Sequence, residues 1–244
     1  MFDRLLNNFR QRVMSEYMEA LPLPPTYRFL NGTPVEALPP QQTAQKGIMI
    51  LGAYPAARYA TVQSERFVPV GNIAQPFDTN AWAGNELDKV YLQPLGLRRE
   101  QCWITNLVRC YLFEERGLGQ KRDLTKYRNL GVTWPEFAVR DRFDEYARLG
   151  LTWLDEELQL AQPKLVITLG SEVAAAFHPG LPKSKRTLLV EDITLRRIRV
   201  NEQEWTMVHL AHPGSMARGG KWRELIPLQI TLLQPVIQKL TAES

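Results

Sequence analysis

The pattern of apolar and polar positions is sharpest at Ile48-Met49-Ile50-Leu51, an unbroken apolar run closed by Gly52 and followed by Ala53-Tyr54-Pro55-Ala56-Ala57. Such a run predicts a strand buried on both faces of a parallel sheet. Gly52 lets the chain turn or brings its backbone close to a ligand. The carboxyl end of a central strand is also where open α/β sheets bind ligands. The same letters fit a plain core strand running into a loop. Two similar runs, Cys102–Val108 and Leu165–Gly170, predict a second and a third buried strand. Leu5, Leu6, Phe9, Val13, Tyr17 and Met18 recur at helical spacing and predict an amphipathic helix over 2–20. Further helices are predicted over 81–95, from Pro135 in a first turn to about Leu160, from the third strand to Phe177, and over 222–240, irregular at Pro227 and Pro235. Segments 194–200 and 205–210 predict a hairpin that ends in a last sheet strand.

Leu21 to Gln45 is rich in Pro and polar residues and reads as an extended arm over a domain edge rather than a core element. A long loop with Pro69, Gly71 and Pro76 follows the first strand. Arg109 to Trp134 carries many charges and little periodicity, and an excursion of that length is usually functional or mobile. Strands alternating with helices predict a sheet covered on both faces. The expected fold is α/β, three layers α/β/α around a short, mainly parallel central sheet. Residues 1–46 form an N-terminal helix and Pro-rich arm, and 47–244 form the domain.

Composition narrows the classes. The 244 residues, 44% hydrophobic and 23% charged, suffice for a sizeable core. A net charge of +4 permits a nucleic-acid partner without requiring one. Arg and Lys gather at 116–128, 183–186, 196–199 and 218–223. No apolar run reaches the roughly 18 residues of a membrane span. The N-terminus lacks the layout of a secretory signal. Two cysteines, Cys102 and Cys110, exclude a disulfide framework and point to a reduced cytosol. There is no internal repeat and no low-complexity tract.

Candidate chemistry lies in four ordered segments: Gly52-Ala53-Tyr54-Pro55-Ala56; Gln75-Pro76-Phe77 with Gly84 following; Ile104-Thr105-Asn106-Leu107-Val108-Arg109-Cys110; and His212-Pro213-Gly214-Ser215. Together with Pro163–Gly170 they resemble the uracil-DNA glycosylase superfamily over roughly 47–225. The resemblance is closest to prokaryotic branches that often carry an iron–sulfur cluster. It implies that Asn106 reads the Watson–Crick edge of a flipped base, donating to a carbonyl and accepting from a ring N–H. Phe77 is then the ring on which the base stacks, worth about 1–3 kcal/mol. His212 donates a hydrogen bond to the departing base, and Gly52, Ala53, Tyr54, Pro55 and Ala56 wall the pocket. Pro213, Gly214, Ser215, Met216, Arg218 and Lys221 meet the minor groove and its phosphates. Each has a plainer reading: a strand-end cap for Asn106, a core ring for Phe77, a basic loop for 213–221. His178-Pro179-Gly180 repeats the His-Pro-Gly letters after a short helix and reads as a loop cap. His209 with His212 lacks a third ligand at suitable spacing, so no metal is expected.

Two departures matter. Cluster-bearing relatives use four cysteines. Here Cys110 aligns with one and Gly150 with another, so no cluster, and no other cofactor, is expected. Many relatives place an acid or Asn after the first glycine to orient water, whereas this chain offers Ala53 and Tyr54. In the register of a branch that also lacks that acid, Asn80, with Asp78 nearby, takes the water-positioning role. Tyr54 instead could narrow the pocket against a base. The preferred expectation is a monomeric, monofunctional glycosylase of the prokaryotic cytosol or nucleoid. It hydrolyses uracil or a related deaminated base from DNA and has no membrane partner. The rivals are a DNA-binding relative without a competent water site, and a small-molecule hydrolase or nucleotide-binding protein on the same architecture.

Overall fold

The computed structural model describes residues 1–23, 27–29, 31–62, 65–114, 129, 140–214 and 220–242. Among them the main sheet has five strands in the order β4-β1-β5-β7-β6. These are β1 (Ile48–Gly52), β4 (Cys102–Asn106), β5 (Leu165–Leu169), β6 (Arg196–Val200) and β7 (Gln203–Leu210). β1 runs parallel to β4 and β5, β5 runs parallel to β7, and only β6 is antiparallel, closing a hairpin with β7. The sheet is therefore short and mainly parallel, as the apolar runs predict.

Side chains on a strand alternate between faces, and β1 divides accordingly. Met49 and Leu51 enter one apolar cluster, with Phe9, Val13 and Tyr17 of α1 (Phe2–Ala20), Tyr146, Leu154 and Leu158 of α3 (Phe143–Ala161), and Val173 of α4 (Ser171–Ala176). Ile48 and Ile50 enter the other, with Leu87 of α2 (Trp82–Leu87), Val90 to Leu92 of the π-helical turn that extends it, and Ile226, Leu233 and Ile237 of α6 (Trp222–Ala242). Helices thus cover both faces of the sheet, giving three layers, α/β/α. No helix among the described residues is long and apolar enough to cross a membrane.

Two expectations are corrected. The loop predicted after β1 contains an antiparallel hairpin, β2 (Ala57–Val62) and β3 (Glu65–Asn72), with register shifts. Its Pro69 and Gly71 hide it from pattern reading, because both residues are poor strand formers. The arm does lie along the outer edge of β4, where Gln42 accepts the Ile104 amide at 3.0 Å and Ala44 donates to Cys102 at 3.3 Å. It is also a core element: Tyr27, Phe29, Val35 and Ala37 are buried in the first cluster. The long helix begins at Phe143, after a 3-10 turn over Arg140–Arg142. Pro135 lies outside the described residues, as do most of the aperiodic excursion and its basic stretch at 116–128. A short helix α5 (Leu188–Glu191) precedes β6.

Within the first face, His209 of β7 is buried against Thr168, whose Oγ1 lies 2.7 Å from His209 Nδ1. His178 Nε2 and His209 Nε2 are 3.0 Å apart, so one must donate and the other accept. Burial first, then the neighbouring His178 and Arg196, push His209 down to about 3. His178 is lowered as well, by burial and by Arg196. An unfolded histidine takes its proton near pH 6.5. Below that pH the unfolded chain binds a proton that the folded chain refuses, so this stability is full above 6.5 and falls on acidification towards 3. From pH 6.5 to 5 the loss is about 2 kcal/mol. Urea unfolding at pH 7 and pH 5 should show this loss, and His209→Gln should flatten it. Equal pH slopes for both proteins would contradict the assignment.

Candidate functional site

A cavity of about 420 Å³ opens at the carboxyl ends of β1, β4, β5 and β7. That size lies within the usual range for small-ligand pockets, about 300–1,000 Å³. Its walls bring together Ala53 to Ala56 after β1, Phe77, Asn106 at the end of β4, and His212 two residues past β7. Asn106 and His212 meet because parallel strands all end on the same side, and the loop between β3 and α2 brings Phe77 to them.

Gly52 makes the meeting possible. A Cβ there would lie 2.5 Å from Asn106 Nδ2 and 2.5 Å from the Phe77 ring. Both side chains rest directly on the glycine backbone, which explains why a side chain is missing at this strand end. Asn106 is 2% exposed, and its Oδ1 is buried without a hydrogen-bond partner among the described residues. An orphaned acceptor of this kind costs about 1–3 kcal/mol and calls for an explanation. A ligand that donates a hydrogen bond supplies one.

Phe77 holds a left-handed backbone, φ 51°, which a non-glycine residue adopts at a cost of about 1–3 kcal/mol. Arg99 secures it: Nη1 donates to the Phe77 carbonyl at 2.8 Å, Nη2 to the Gly84 carbonyl at 2.7 Å, and Nε to Asp88 at 2.7 Å. The guanidinium fork ties the strained turn to α2 and so fixes the ring in the pocket wall. Arg99→Ala should release the turn and weaken binding of free uracil by about 5- to 150-fold, the worth of one stacked base. Arg99→Lys should recover only part, since it cannot reproduce the fork. Calorimetric titration measures both, and undiminished affinity in Arg99→Ala would contradict this role.

His212 Nδ1 accepts the Gly214 backbone N–H at 3.2 Å. A neutral imidazole with Nδ1 accepting carries its proton on Nε2, the form that donates a hydrogen bond. Behind Asn106, the turn after β4 is held by a buried network. Arg109 donates to Glu157 at 2.5 Å and to Thr105 Oγ1 at 3.1 Å, and Trp103 Nε1 donates to Glu157 at 2.7 Å. The pairing of Arg109 with Glu157 has no clear signal in the sequence, since Glu157 sits in an ordinary amphipathic helix pattern.

The remaining predicted residues stand elsewhere. Asp78 is buried, but its Oδ2 accepts the Ala74 amide at 3.0 Å and its Oδ1 accepts the Asn80 backbone and side-chain amides at 2.8 and 3.0 Å. This closes an Asx-type turn. Asn80 is exposed, and neither residue lines the cavity. Pro213 and Gly214 are buried beside His212. Lys221 is paired with Glu191 and sits over the Trp222 ring at 5.3 Å. Ser215, Met216 and Arg218 lie outside the described residues. Among the pocket residues that pattern reading missed are Trp82, Glu114, Arg140, Glu172 and Trp222. Glu114 lies within the aperiodic excursion and Arg140 just beyond it, where no repeat marks a position.

Among the described residues, no group of three His, Cys, Asp or Glu side chains could hold a metal ion. A four-thiolate cluster does not fit the residues present either. The chain has two cysteines, and burial pushes each thiol up to about 12. At Gly150, the position that the resemblance to cluster-bearing relatives would give to a cysteine, a Cβ would lie 2.2 Å from the Leu107 carbonyl oxygen.

Compared with known proteins, the chain matches the family model described as the uracil DNA glycosylase superfamily over residues 39–227. No curated protein matches it.

Proposed function

The chain belongs to the uracil-DNA glycosylase superfamily, and from that premise we propose that it extrudes uracil or a related deaminated base from DNA and hydrolyses its glycosidic bond. The observation that carries this reading is the orphaned Asn106 Oδ1, buried in a pocket that also holds Phe77 and His212. A base in that pocket stacks on Phe77. Its ring N–H satisfies Asn106 Oδ1, while the amide NH₂ donates to an adjacent carbonyl. As the bond between the base and C1′ breaks, charge builds on a base oxygen and His212 Nε2–H stabilises it. Water supplies the hydroxyl at C1′, and the residues of the chain carry the reaction without a metal or organic cofactor. Pro213, Gly214, Ser215, Met216, Arg218 and Lys221 are proposed to meet the minor groove of the DNA and its phosphates. The protein is proposed to act as a monomer in a prokaryotic cytosol or nucleoid.

The test is release of free base from a uracil-containing oligonucleotide, followed by cleavage of the abasic strand. The reading predicts uracil release with the strand left intact until alkali is added. A second reading, a DNA-binding relative without catalysis, is favoured by one observation: the Asp78 carboxylate is committed to its own turn. That reading predicts salt-sensitive binding of uracil-containing DNA with no base released.

A further inference from the structure

On the base-excision reading above, we propose that Tyr54 and Glu114 form the relay that activates the attacking water. Tyr54 stands two residues after Gly52, and both it and Glu114 line the cavity that holds Asn106, Phe77 and His212. The Tyr54 hydroxyl donates to Glu114 Oε1 at 3.2 Å. The Glu114 side chain is only 17% exposed and is paired with Arg140. The Arg140 guanidinium also lies 5.5 Å from the centre of the Tyr54 ring. One cation therefore packs against both members of the pair and favours the ionised carboxylate. The Tyr54 ring is wedged between Tyr111 and Phe143, each with centroids 6.4 Å away, which fixes where its hydroxyl points. Glu172, the other carboxylate on the cavity wall among the described residues, is 42% exposed and meets Arg140 only at 3.5 Å. Asp78 is consumed by its turn.

The chemistry balances without another reactant. The bond from C1′ to the base nitrogen breaks, and its electron pair leaves with the base. The water oxygen bonds to C1′. The water proton passes to the Tyr54 phenol oxygen as the phenol proton passes to Glu114. The products are the sugar hydroxyl, the base anion held by His212, and a protonated Glu114 that returns its proton as the base departs. Tyr54 touches the reacting water and is catalytic. Glu114 acts through Tyr54 and positions it.

The experiment compares wild type, Tyr54→Phe, Glu114→Gln, Glu114→Asp and the Tyr54→Phe/Glu114→Gln double variant on one uracil-containing oligonucleotide, measuring single-turnover rate and Kd. Tyr54→Phe and Glu114→Gln should each slow cleavage by about 10²–10⁴ with Kd unchanged. Glu114→Asp should regain part of the rate. The double variant should be no slower than the slower single one, because residues that act as a unit are not additive. Single variants at the wild-type rate would overturn the relay and leave the glycosylase reading standing. So would losses that multiply in the double variant, or losses matched by a rise in Kd. A wild-type protein that releases no base would overturn both.

Discussion

His212→Ala should slow base release by about 10²–10³ while leaving affinity for uracil-containing DNA nearly unchanged. The asymmetry follows from when the interaction is made. In the ground state the base oxygen is an ordinary carbonyl, and its hydrogen bond replaces one to water. In the transition state that oxygen carries developing charge, and a fixed donor in a dry pocket gains strength there. The Gly214 amide keeps the donor fixed, since its bond to Nδ1 leaves the proton on Nε2. Single-turnover rates with excess protein isolate the chemical step. An equal loss in rate and affinity would mean that His212 binds substrate uniformly and does not favour the transition state.

Asn106→Ala should act on selectivity. The amide reads two neighbouring groups of the base, and removing it strands each in a buried pocket at about 1–3 kcal/mol. Discrimination between uracil and an undamaged base should fall by about 5- to 150-fold for each group stranded. The same change removes an orphaned acceptor from the free protein, so thermal stability should hold steady or rise. A rise in stability alongside a fall in selectivity is the mark of a residue kept for its ligand. Unchanged ratios of kcat/KM among bases would contradict the reading role.

The parts of this molecule legible in its sequence are those with one dominant constraint. β1, β4 and β5 are buried on both faces, so they read as mostly apolar runs, and α1 buries one face, so its apolar residues recur at helical spacing. The arm carries as firm a constraint, yet its buried Tyr27, Phe29, Val35 and Ala37 are spaced by prolines and follow no period. Asn106 and His212 converge because strand ends of a parallel sheet converge, which chain order alone implies, whereas Phe77 is carried to them by the loop between β3 and α2. Asp78 and Asn80 show the limit. An offset from Phe77 cannot tell whether a carboxylate turns to the cavity or to its own turn, and here two backbone amides and the Asn80 side chain hold it in the turn. Glu114 lies 60 residues from Tyr54 with no regular element between Tyr111 and Glu114, so their pairing becomes visible only in three dimensions.

The central claim is that this pocket is built to hold an extruded uracil. A crystal structure of the protein soaked with free uracil tests it most directly. The account predicts the base stacked on Phe77, its N3–H on Asn106 Oδ1, a neighbouring carbonyl on the amide NH₂, and a base oxygen within hydrogen-bond distance of His212 Nε2. A pocket that stays closed to uracil, or a base bound without contact to Asn106, would contradict it.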